Sequence, residues 1–85
     1  MPELGFHLRV SGRGEFVSRC HALFQERGFF GNGLAMGNKD DGLLAVFLVK
    51  RPGPCTEEDR AGVLFAVRAL EGVVGVEAGL LCEQL

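Results

Sequence analysis

Along the first dozen residues Phe6, Leu8 and Val10 alternate with His7, Arg9 and Ser11, the two-residue period of a strand that buries one face. After the loop Ser11-Gly12-Arg13-Gly14-Glu15 the period changes. Phe16, Val17, Cys20, Leu23 and Phe24 recur in one helical sector, with Ser18, Gln25 and Glu26 opposite, so the spacing predicts a helix over residues 15–27 that Gly28 ends. Residues 29–36 predict a second strand, though Gly31, Gly33 and Gly37 interrupt its pattern, and glycine inside a strand marks a bulge or a close backbone approach. Asn38-Lys39-Asp40-Asp41-Gly42 reads as a turn, and residues 43–49 form an unbroken apolar run, the mark of a central strand buried on both faces. Arg51-Pro52-Gly53-Pro54 breaks the chain. Thr56-Glu57-Glu58-Asp59 then opens a helix with a capping oxygen and three acids at its positive end, running to about Leu70 before Gly72. Val73, Val74, Val76, Ala78, Leu80 and Leu81 predict a last strand, with Glu77 its one charge.

The resulting order, β-α-β-β-α-β in 85 residues, predicts an α+β fold of the ferredoxin-like type. In that arrangement a four-stranded antiparallel sheet has its first and third strands in the centre and both helices on one face. A chain this short has surface enough for one core, so residues 1–85 are expected to form a single domain. The ferredoxin-like frame hosts unrelated chemistries, so function has to come from particular residues.

Composition narrows the classes. Hydrophobic residues are 47% and charged residues 24%, the balance of a chain that folds. Nine basic against eleven acidic side chains leave a formal charge of -2, and there is no Trp or Tyr, which argues against a nucleic-acid partner. No apolar run reaches the ~20 residues of a membrane span, and the opening Met1-Pro2-Glu3 is not that of a secretory signal, so a cytoplasmic location without membrane contact is expected. Cys20, Cys55 and Cys82 are odd in number and lack metal-knuckle spacing, and no HxxxH pair accompanies His7 and His21; reduced thiols, no metal and no cofactor are expected.

Two sites stand out for polar chemistry. Gly31-x-Gly33-x-x-x-Gly37 has the wrong last spacing for a dinucleotide fingerprint and leads into a turn instead of a helix. Gly12, Arg13 and Gly14 are better placed to bind a small anion, because they join a strand to a helix N-terminus where unpaired N–H groups converge with a guanidinium. Val10-x-Gly12-Arg13, together with Asn38-x-x-Asp41-Gly42, resembles two stretches of the acylphosphatases, small ferredoxin-like enzymes that hydrolyse acyl phosphates. The resemblance implies a phosphate cradle at Gly12, Arg13 and Gly14 and a water-orienting role for Asn38. The family pattern continues differently: Glu15 and Phe16 replace its glutamine and a glycine, and Cys20 stands where it has its arginine. His7, Arg9 and Glu77 form a second polar group, expected on the open side of the sheet where the first strand pairs with the last.

The apolar surplus weighs more than either site. Leu43, Ala45, Phe47 and Val49 alternate with Leu44, Val46 and Leu48, so whichever set faces the helices, the other covers the open face. In the second helix Val63, Val67 and Leu70 make a core stripe, while Phe65 lies about 160° from Val67, flanked by Ala61, Gly62 and Ala69. Ala61, Phe65 and Ala69 are therefore expected at an interface. The chain reads as a non-enzymatic module that forms a homo-oligomer and binds a small anion or a protein partner, with an acylphosphatase-like hydrolase using Arg13 and Asn38 as the alternative.

Overall fold

A computed structural model of the chain describes residues 4–38, 40–50 and 54–83. Lys39 of the expected turn and the Arg51-Pro52-Gly53 part of the expected break lie outside the described residues. The elements are β1 (Leu4–Gly12), α1 (Phe16–Glu26), β2 (Phe29–Gly37), β3 (Gly42–Lys50), α2 (Glu57–Arg68), β4 (Val73–Ala78) and the two-residue β5 (Cys82–Glu83). The fold is α+β, with an antiparallel sheet ordered β2-β3-β1-β4, two helices, and β5 paired to β1.

Alternation along the central strands sorts the side chains. Phe6, Leu8 and Val10 of β1 and Leu44, Val46 and Leu48 of β3 are buried in one cluster with Phe16, Cys20 and Phe24 of α1 and Val63 and Val67 of α2. Both helices therefore cover the same face. Burial of these side chains stabilises the fold by about 1.5–3 kcal/mol for each large one. The other set in β3, Leu43, Ala45, Phe47 and Val49, projects from the opposite face, with His7, Arg9 and Ser11 of β1 in register beside it.

The last strand is shorter than its apolar pattern. Ser11 pairs with Gly75 and Gly12 with Val73, so Val74 is an inserted residue, 69% exposed. That bulge puts Val73 and Val76, three apart, on the core side together. Gly79 still donates its N–H to His7 O at 2.8 Å, after which the chain leaves the sheet until β5; Arg60 holds the carbonyls at this exit, donating to Gly79 O at 2.6 Å and Ala78 O at 3.2 Å while holding Glu57 at 2.7 Å. Leu80 is consequently exposed and Leu81 packs on the core.

At the start of α2, Thr56 and Asp59 form a reciprocal cap. Thr56 Oγ1 accepts from the Asp59 N–H at 3.1 Å, and Asp59 Oδ2 accepts from the Thr56 N–H at 3.0 Å. Asp59 also accepts from Lys50 Nζ at 2.9 Å, tying the end of β3 to the helix. The Lys50 hydrogen bond, then the one from Thr56, hold the Asp59 carboxyl below the usual aspartate range. A carboxyl so lowered adds stability that is present above its unfolded pKa and lost as pH falls through the folded one. Urea unfolding followed by circular dichroism from pH 6 to pH 2 should show that loss begin below about pH 4, with a flatter acid limb in Asp59→Asn. Thr56→Ala should cost about 1 kcal/mol at neutral pH.

Candidate functional site

The face of the sheet away from the helices is divided. On the β1–β4 side it is polar: Arg9 lies opposite Glu77 in register, and Ser11 lies opposite Gly75, to whose carbonyl it donates at a long 3.5 Å. Arg9, Ser11, Leu43, Gly75, Val76 and Glu77 line a notch of about 370 Å³. Although they are cross-strand partners, Arg9 and Glu77 form no ion pair among the described residues. His7 belongs elsewhere. Its ring stands edge-on to Phe47 with centroids 4.8 Å apart, and the Phe47 ring also crosses Gly5, where a Cβ would sit 2.7 Å from it. Glycine at position 5 lets that aromatic lie flat over β1.

On the β2–β3 side the face is apolar. Phe30, Leu34 and Met36 point the same way as their partners Val49, Ala45 and Leu43, and are 53%, 61% and 49% exposed. Phe29 alone in β2 is buried, and the next eight residues are all exposed. On the helix side the strand carries little bulk, because Gly31 and Gly33 stand where Val46 and Leu48 close in: a Cβ at Gly31 would meet both side chains at 2.8 Å. The interrupted apolar pattern of residues 29–36 thus belongs to a regular strand, fully paired with β3 and lacking only side chains.

The loop expected to hold an anion is largely committed to the fold. Gly12 is the last residue of β1, with the Phe16 ring 2.7 Å from where its Cβ would be, and the Arg13 N–H donates to Gly72 O at 2.7 Å. Gly14 has φ +66, and α1 begins with no side-chain cap at Glu15. Asn38 spends its Oδ1 on the N–H groups of Asp40 and Asp41, both at 2.9 Å, which closes the β2–β3 turn. Gly14 and Asn38 nevertheless line one shallow groove of about 270 Å³ with Phe16, Val17 and Met36. Arg13 is exposed and does not line it.

On α2, Phe65 is 77% exposed, and Ala61 and Ala69 on either side are exposed too. Sequence reasoning missed Arg60, whose partners are backbone carbonyls nearly twenty residues away and carry no side-chain signature. Among the described residues no group of His, Cys, Asp and Glu could hold a metal ion, and no helix is long and apolar enough to cross a membrane.

The three thiols are free and differ in access. Burial pushes Cys20 up to about 11. Cys55 is raised by burial first and then by the negative charge of Asp59. Cys82 is exposed. A chromogenic disulfide reagent at pH 8 should therefore titrate Cys82 quickly, and Cys20 and Cys55 only on unfolding. Cys82→Ser should abolish the fast phase.

Compared with protein-family models and with curated proteins, the chain has no match in either.

Proposed function

We propose that this chain is a non-enzymatic, ferredoxin-like module that self-associates through the apolar side of its open sheet face. The sheet order β2-β3-β1-β4 with both helices on one face supports the fold reading. The observation that carries the functional reading is the run of exposed Leu34, Met36 and Phe30 beside half-buried Leu43 and Phe47 on one surface. An apolar surface of this kind on a small chain is an interaction surface. The polar notch of Arg9, Ser11 and Glu77 lies at the margin of this surface and suits a small charged ligand or a polar rim.

Sedimentation equilibrium from one to several hundred micromolar should give at least a dimer mass. Leu34→Glu, which puts a charge in the middle of the apolar run, should weaken the association at least about tenfold, which is 1.4 kcal/mol. Phe65→Ser tests the helix patch in parallel, and a larger loss there would move the contact to α2. A monomer mass at every concentration would overturn the reading.

The groove shared by Gly14 and Asn38 favours a second reading, an acylphosphatase-like site using Arg13 and Asn38. Calorimetry with inorganic phosphate tests it: Arg13→Ala should weaken binding by about 1–3 kcal/mol. Absence of heat at millimolar phosphate with the parent protein removes this reading.

A further inference from the structure

We infer that the occupant of the β2 edge is the β2 of a second copy, paired antiparallel about a two-fold axis at Gly33 so that two sheets become one. This rests on the self-association proposed above and moves the contact between copies from the sheet face to the strand edge beside it.

The direction of the backbone groups in β2 follows from the registers. Gly79 N–H donates to His7 O at 2.8 Å, so His7 turns its backbone toward β4. In an antiparallel ladder such directions alternate, which makes Phe6, Leu8 and Val10 the residues of β1 bonded to β3, at Leu48, Val46 and Leu44. Leu43, Ala45, Phe47 and Val49 then bond to β2, at Met36, Leu34, Asn32 and Phe30. What remains is the outer edge. The N–H and C=O groups of Phe29, Gly31, Gly33, Ala35 and Gly37 point away from the sheet. The bond from Asn38 N–H to Asp41 O at 3.3 Å, at the closing turn, fits the same phase.

Three properties of this edge select a second copy. First, the exposed polar backbone is bordered by almost no side-chain bulk, since three of its five outward residues are glycine and one is alanine. Second, β2 contains no charged residue and no proline, the usual devices that keep an edge strand from pairing. Third, the strand is self-complementary. With Gly33 opposite Gly33, Gly31 meets Ala35 and Phe29 meets Gly37 as bonded pairs. On the apolar face Phe30 then meets Met36, and Asn32 meets Leu34. The nine residues span about 30 Å, which gives every outward group of one copy a partner on the other. An unlike peptide would satisfy the same backbone, but it would not join the two apolar surfaces into one.

Ala35→Pro tests this directly. It deletes an outward N–H and no bond to β3, and proline is tolerated where an edge strand faces solvent. The variant should keep the parent's circular dichroism and sediment as a monomer at concentrations where the parent is a dimer. Amide exchange in the parent chain provides a second readout that needs no variant. The Gly31, Gly33 and Ala35 N–H groups should exchange at least about tenfold more slowly at dimeric than at monomeric concentration. If the parent dimerises while these amides stay equally open and Ala35→Pro remains a dimer, edge pairing is wrong and the copies meet through the sheet face or α2. If the parent never dimerises, self-association itself fails.

Discussion

A single layer of helices has to serve a sheet whose β3 strand is apolar on both sides, and the rest of the molecule is arranged around that mismatch. Leu44, Val46 and Leu48 have α1 and α2 above them. On the open face Val49 is buried, but Leu43, Ala45 and Phe47 are only half-covered. Part of the remedy is internal. Gly5 yields its side-chain space to the Phe47 ring, and His7 closes against that ring's edge, so the aromatic is half-buried within its own sheet. On the β2 side exposure increases outward, from half-buried Ala45 to Leu34 at 61%.

The same mismatch explains how the helices are fastened. With one interior there is one seam where each helix must be held in place. Side chains fill most of it, but at the α2 end polar groups do the joining. Lys50 reaches from β3 to Asp59, Asp59 and Thr56 cap one another, and Arg60 gathers the carbonyls of Ala78 and Gly79. The α1 start has no counterpart to this cap and relies on Phe16, set into the space left by Gly12 and Gly42.

Periodicity made some elements plain from residues alone. The alternation of Phe6, Leu8 and Val10 with His7 and Arg9 and the stripe of Phe16, Cys20 and Phe24 are two such cases, since burial imposes a period and side chains record it. β2 was faint because Gly31 and Gly33 have no side chain to record anything. The end of β4 departs from its apolar pattern for the opposite reason. Val73, Val74, Val76, Leu80 and Leu81 are apolar for different purposes, and hydropathy cannot distinguish a bulge at Val74 or a detour at Leu80 from a continuous strand. Arg13 and Asn38 were noted for their chemistry. That the Arg13 backbone N–H and the Asn38 side-chain Oδ1 are already spent on Gly72 and on the Asp40 and Asp41 amides depends on contacts no spacing reveals.

The bulge at Val74 also bears on stoichiometry. On the far side of the sheet from β2, the outer strand is six residues long, kinked by its inserted valine, marked with Glu77, and interrupted by the stretch around Leu80 before β5 resumes along β1. No straight run of backbone is offered there. If copies pair through β2 as proposed, the sheet is a body of valence one: growth by strand addition would stop at two copies, short of the endless polymer that two such edges would build.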